Sequence, residues 1–468
     1  MTMTLSRRQL LAAATAALAA PRLALAEAPA LVLTAGTRTI DVAGKPARVF
    51  GLTGPDGRQG VTLDPGQRFR LRLDNRLDVP TIIHWHGQTP PPDQDGVTDT
   101  GYVSPIGPGG RADYDFAARP GTHWMHSHHG LQEMQLLAAP LIVRRTEDLA
   151  ADLQEVVLFL HDFSFKAPEE LLAGLGGGMD HGAMNHGTMG HGGMDLNDVE
   201  FDAYLANDRT LDDPEVIRVE RGGRVRLRVI NGAAATAFWL GFGAAGATVV
   251  AVDGNPVAPV AAARVPLAQG QRVDLVVDLP AGSVVPVLAQ REGDRQQTGL
   301  ILAAPGATVA KLAGLAQAKA PPVDLSLDRV LAGAGASALP AGAGASALPA
   351  GARYRLRLTG SMSPYRWTLD DRSWGEHRPL AVTAGTRIEV DLVNESMMAH
   401  PMHLHGHHFE VVAIDGQAQA GPMRDTVLVP IGATVRIAFE ADNAGRWLLH
   451  CHNLLHMATG MMTEVSYA

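Results

Sequence analysis

The chain has 468 residues, 46% of them hydrophobic and 19% charged, with a formal charge of −9 and one cysteine. That length is enough for two to four ordinary domains. An acidic balance without basic clusters argues against nucleic-acid binding, and a single cysteine excludes an internal disulfide.

At the N-terminus, Ser6-Arg7-Arg8-Gln9-Leu10-Leu11 leads into an alanine-rich apolar run ending Ala24-Leu25-Ala26. This reads as a twin-arginine export signal over residues 1–26, because the run is too short to serve as a permanent membrane anchor. The expected partner is the twin-arginine export machinery, and the expected destination is a bacterial periplasm. Removing the segment takes away Arg7, Arg8 and Arg22 and no acid, moving the charge from −9 to −12. No other stretch reads as a membrane span, so no stable membrane insertion is expected.

Beyond residue 26, short runs of Val, Leu, Ile and Thr alternate with polar residues between Gly, Pro and Asp, which predicts an all-β chain. One fifteen-residue pattern occurs three times: VTLDPGQRFRLRLDN at 61–75, IRVERGGRVRLRVIN at 217–231 and LAVTAGTRIEVDLVN at 380–394. Each copy has a turn glycine (Gly66, Gly222, Gly385), an arginine two residues later and a closing asparagine. A single copy could be any hairpin; three predict three homologous β-sandwich domains. The expected boundaries are 27–147, 148–310 and 353–468, with a linker over 311–352.

Nine and eleven residues after its asparagine the first copy has His84 and His86, and Gly121 is followed at five and seven by His126 and His128. The third copy repeats this with His403 and His405, and with His450 and His452 after Gly445. At the same offsets the middle copy has Leu240, Phe242, Val287 and Ala289, so its domain reads as a spacer. Within it, residues 176–195 carry Met179, Met184, Met189 and Met194, with His181, His186 and His191 each two residues after a methionine. Nothing there can bury a core, and thioethers favour Cu(I), so the stretch reads as a copper-capturing loop. The exact tandem GAGASALPA at 333–341 and 342–350 reads as flexible linker.

Residues i and i+2 of a strand share a face, so each His-x-His pair presents two imidazoles together. Eight imidazoles without a carboxylate cluster suit Cu, Zn, Fe or Ni, and the thiolate selects among these. One Cys, two His and a weak axial Met form a blue-copper set, which Cys451, His456 and Met461 supply with His400. Met462 competes with Met461 for the axial place. Structural zinc would use more thiolates in close pairs.

The motifs HWHG, HSHHG, HPMHLHG and HCHNLLHMATGM, in this order, resemble the copper-binding signatures of three-domain multicopper oxidases of the bacterial copper-resistance and laccase-like type. The resemblance covers essentially the whole mature chain and implies three cupredoxin-like Greek-key β-sandwiches, with copper in the first and last. It implies a type 1 copper held by His400, Cys451, His456 and Met461, and a type 2 copper held by His84 and His403. A type 3 pair would then take His86, His126, His128, His405, His450 and His452, giving four copper ions. The partners it implies are O2 and a reducing substrate, either Cu(I) or a phenolic compound, in a role in copper tolerance. Asp95 occupies the position of the family's acid near the cluster and is expected to relay protons. The second acid that some members carry after the last type 1 histidine is here Met457.

His123, His129, His161, His377, His407 and His408 are expected to be structural. Met397, Met398, Met402, Met457 and Met462 crowd the type 1 motifs, either to hold Cu(I) or to pack. Asp425 is at most a supporting residue. Two readings compete with an oxidase: a copper-sequestering protein, against which the direct link from Cys451 to two type 3 ligands argues, and a non-catalytic cupredoxin, against which the complete ligand set argues.

Overall fold

The computed structural model describes residues 30–176, 196–220, 223–335 and 348–468. The expected export signal, nearly all of the Met- and His-rich stretch and the middle of the tandem repeat lie outside them. Each copy of the fifteen-residue repeat crosses between the two sheets of a β-sandwich. Val61–Leu63 pairs with Ala138–Val143, whereas Phe69–Asn75 pairs with Leu31–Val42 and Arg111–Phe116 in the opposite sheet. The second and third copies divide their strands between sheets in the same way. The motif is thus an arch, and its two strands do not pair as a hairpin would. Gly66 and Gly385 turn it at φ 76° and 74°, in the left-handed region that glycine enters without strain.

The closing asparagine has the same role in each copy. Asn75 Nδ2 donates to the carbonyls of Val79, Ile106 and Gly107, and its Oδ1 accepts from Leu77 N. Asn231 donates to Thr236 and Leu267, and Asn394 to Met398, Val429 and Pro430. One amide therefore ties the loop leading to the next strand, which in the first and third domains carries histidines, to carbonyls of a second segment 31–36 residues further on. The repeated arginines lie nearer the surface and reach acids: Arg68 to Asp115, Arg224 to Asp278 and Arg387 to Glu410.

The three sandwiches are cupredoxin-like and all-β. In the middle one, Leu240, Phe242, Val287 and Ala289 are fully buried where the other two have histidines. Part of the expected 311–352 linker is packed structure. The helix Ser326–Gly333 buries Leu327 and Leu331, and Ala320, Val323 and Leu325 join a core continuous with the second and third sandwiches. The surrounding Ala, Gly and Pro content masks these spaced leucines in the sequence. Among the described residues no helix is long and apolar enough to cross a membrane.

Candidate metal centres

In the first sandwich Ile83–His86 pairs antiparallel with Gly121–Ser127, setting His84 opposite His126. In the third, His400–Leu404 pairs with Arg446–Cys451, setting His403 opposite His450 and Met402 opposite Cys451. Directly opposed residues of an antiparallel pair share a face, so each ladder gathers four imidazoles. The two ladders meet ring to ring: His86 stacks on His403 at 3.8 Å between centroids, and His84 lies 3.9 Å from His405. The reciprocal pairing is what two related domains facing each other produce.

Candidate ligand atoms then fall into groups lying within 4.8 Å of one another: His84, His86 and His403; His86, His126 and His452; His128, His405 and His450; and His84, Asp95 and His405. The six histidines expected at the type 3 pair, named in the sequence as His86, His126 and His128 with His405, His450 and His452, thus gather instead as two triads that each mix the first and third sandwiches. Buried polar atoms are normally paired, yet His84 Nε2, His86 Nδ1, His126 Nε2, His128 Nε2, His403 Nε2 and both His452 nitrogens have no hydrogen-bond partner. The opposite ring nitrogens of most of these histidines are held. His84 Nδ1 donates to the Asp95 carbonyl, His403 Nδ1 to the Asp425 carbonyl and His450 Nδ1 to the Cys451 carbonyl. His405 Nδ1 donates to Asp95 Oδ2 at 2.8 Å, and His86 Nε2 to Asp425 Oδ1 at 3.1 Å. His126 Nδ1 lies 2.7 Å from Glu133 Oε2. Burial holds His86, His126, His128, His403, His405 and His452 well below the ordinary imidazole value and takes His450 down to about 4. Neutral rings with one nitrogen fixed and the other unpaired, as in His86, His126 and His403, fit metal ligation.

A second cluster lies wholly in the third sandwich. Cys451 Sγ is 3.7 Å from His400 Nδ1 and 3.6 Å from His456 Nδ1, and those two nitrogens are 3.0 Å apart. Ser396 Oγ meets His400 Nε2 at 2.6 Å, and Asp198 Oδ1 meets His456 Nε2 at 3.2 Å, fixing both rings from outside. Burial raises the Cys451 thiol's pKa, so a bound cation is what would stabilise its thiolate. The ladder sets Met462 opposite His450, and Cys451 N donates to the Met461 carbonyl. Alternation therefore puts the Met461 side chain on the Cys451 face, while Met462 packs with Val97 and Leu448.

Asp95 is buried, between His84 and His405, and its Oδ1 has no hydrogen-bond partner. Four of the six histidines expected to be structural have ordinary partners: His161 the Gly232 carbonyl, His377 the Trp374 carbonyl, His407 Tyr467 and the His405 carbonyl, and His408 Asn255 and the Gly87 carbonyl. Buried His123 lies beside the Arg272 guanidinium, and His129 is only partly buried. Asp425, underrated in the sequence, touches His86 and receives both terminal nitrogens of Arg272. Burial opposes its charge, but the Arg272 guanidinium holds its carboxyl below the usual carboxylate range. Sequence reasoning missed Glu133, Asp198 and Arg272. Only Glu133 carried a signal, as an acid five residues after His128.

Multicopper oxidase family models match residues 37–148, 155–290 and 348–468. Multicopper oxidase MmcO of Mycobacterium tuberculosis (strain ATCC 25618 / H37Rv) is 30% identical over 416 residues, covering 86% of this chain and 80% of that protein. Copper resistance protein A of Escherichia coli is 26% identical, covering 92% and 91%. The crystal structure of a multicopper oxidase from Pseudomonas thermotolerans superimposes with a TM-score of 0.70 at 25% identity, covering 93% of this chain and 98% of that one. The chain belongs to the multicopper oxidase family. It is a copper-dependent oxidoreductase with oxygen as electron acceptor.

Proposed function

We propose that the protein couples four one-electron oxidations of a reducing substrate to the reduction of O2 to two waters, with Cu(I) as the favoured substrate and phenolic compounds as the second. The type 1 copper is assigned to His400, Cys451, His456 and Met461, and the type 2 copper to His84 and His403. The type 3 pair is assigned to His86, His126 and His452 with His128, His405 and His450. Bound copper would supply single-electron transfer at the cysteine cluster and oxygen binding and reduction at the histidine cluster.

The observation that carries this reading is the placement of Cys451 on the strand Arg446–Cys451. Its sulfur faces His400 and His456, while its neighbours His450 and His452 face the opposite cluster, where His450 Nε2 lies 2.9 Å from His405 Nε2. One residue thus joins the two clusters covalently. Asp95 bridges histidines from the first and third sandwiches, and its unpaired oxygen suits it to hand protons to that cluster.

The domain boundaries are proposed at 27–147, 148–310 and 353–468, with 311–352 between the second and third. Export by the twin-arginine route to the periplasm rests on Arg7-Arg8 and the apolar run after them. Copper tolerance is supported by the similarity to a copper resistance protein and by the Met- and His-rich stretch over 176–195. Oxygen uptake by copper-loaded protein should be fastest with Cu(I) when Cu(I), Fe(II), Mn(II) and a phenol are compared. Deleting 176–195 should lower cuprous oxidation far more than phenol oxidation; equal effects on both would overturn the Cu(I) assignment.

A further inference from the structure

Among the described residues the middle sandwich adds no histidine to the cluster, yet its segment Ala268–Arg272 lies against it. Gly270 adopts φ +78°, and a Cβ there would sit 2.8 Å from His452 Cδ2 and 3.1 Å from His86 Cε1. Gln271 is buried and donates to the Thr426 carbonyl at 3.1 Å. Arg272 is fully buried. Its Nε donates to the Thr122 carbonyl of the first sandwich, and its Nη1 to the Gly270 carbonyl of its own. The same guanidinium donates Nη1 to Asp425 Oδ1 at 2.7 Å and Nη2 to Asp425 Oδ2 at 2.5 Å, in the third. Asp425 Oδ1 in turn meets His86 Nε2 and accepts from Thr426 Oγ1, and the Asp425 carbonyl holds His403 Nδ1. This geometry leaves His86 Nδ1 and His403 Nε2 as the unpaired nitrogens.

We infer that the middle sandwich forms one wall of the oxygen-reducing site, with Arg272 as the positioning residue that fixes Asp425 against His86 and His403. The inference rests on the histidine cluster being the copper site proposed above. It also revises the reading of the middle domain as a spacer. Holding Asp425 in this orientation requires a planar fork, because two parallel donors define the carboxylate plane and a lysine cannot supply them. Gly270 is needed for the approach, since any side chain there would enter the rings of His452 and His86.

The test uses the full chain loaded with copper and titrated with a chelator, following the Cys451-dependent absorption and the copper bound per chain. In Arg272→Gln and in Gly270→Ala the Cys451 absorption should persist, while the histidine cluster should lose copper at roughly 10- to 100-fold lower chelator concentration, the size of effect expected for a residue supporting ligands. Because Arg272→Gln strands buried carboxylates, Arg272→Met/Asp425→Leu removes both charges of the pair. That variant should recover thermal stability without recovering copper retention. Variants that hold histidine-bound copper as the unaltered chain does would overturn the inference alone, as would a double variant that regains retention together with stability. An unaltered chain with no copper at its histidines would overturn the oxidase reading as well.

Discussion

Cys451 is fully buried, carries a thiol whose pKa burial raises, and faces two imidazole nitrogens that lie 3.0 Å from each other. Replacing its sulfur with a hydroxyl keeps the size but removes the soft donor. Cys451→Ser should therefore abolish the visible absorption and reduce substrate oxidation to background, while copper at the histidine cluster is retained; a variant still coloured would exclude the assignment. Asp95→Asn should lower oxygen reduction by roughly a hundred- to ten-thousand-fold, the range for loss of a placed acid-base group, and change its pH dependence with the Cys451 absorption intact. Unchanged turnover and pH profile would leave Asp95 a structural residue. At this scale the candidate ligands were legible because thiolate, imidazole and thioether carry their chemistry in their identity. Their hydrogen-bond partners were not: Asp198 meets His456 across 258 residues, and Arg272 meets Asp425 across 153. A lone Asp or Arg has many surface uses, and only the fold selects one.

At the scale of elements, the arch that ends in asparagine links fold to site. The repeat marked three sandwiches in the sequence because its alternation, turn glycine and asparagine recur at fixed spacing. Its crossing between sheets was not legible, since two alternating strands around a glycine look alike whether they pair with each other or with distant strands. Asn394→Ala would leave the Met398, Val429 and Pro430 carbonyls without their donor, costing about 1–3 kcal/mol. Asn231→Ala should cost a similar amount. Because Asn394 fixes the turn leading into His400, its loss should also shift the Cys451-dependent absorption, whereas Asn231→Ala should lower the melting temperature and leave the spectrum alone. Identical spectra in both variants would show that the arch supports only the fold.

Across the whole molecule, the joints between sandwiches are ionic and buried. Arg272 of the middle sandwich pairs with Asp425 of the third, and Arg424 of the third bridges Asp253 of the middle one and Asp328 of the connecting helix. Such sets were invisible in a composition that showed only a modest acidic excess. Another joint is set by protonation. Glu292 accepts from Val323 N at 2.9 Å, anchoring to the middle sandwich the segment that leads to the third. Burial raises its carboxyl to about 7, against the opposing pull of that hydrogen bond. Folded chains then keep this proton between about pH 4.5 and 7, where unfolded chains have released it. The contribution to stability is therefore complete below about 4.5 and lost as pH rises through 7. At about 1.4 kcal/mol for each pH unit of that window, the loss is on the order of 3 kcal/mol. Glu292→Gln carries no proton to lose, so it should match the unaltered chain near pH 4.5 and exceed it in melting temperature at pH 8. A stability difference that stays constant between those two pH values would mean that Glu292 is already ionised in the folded protein.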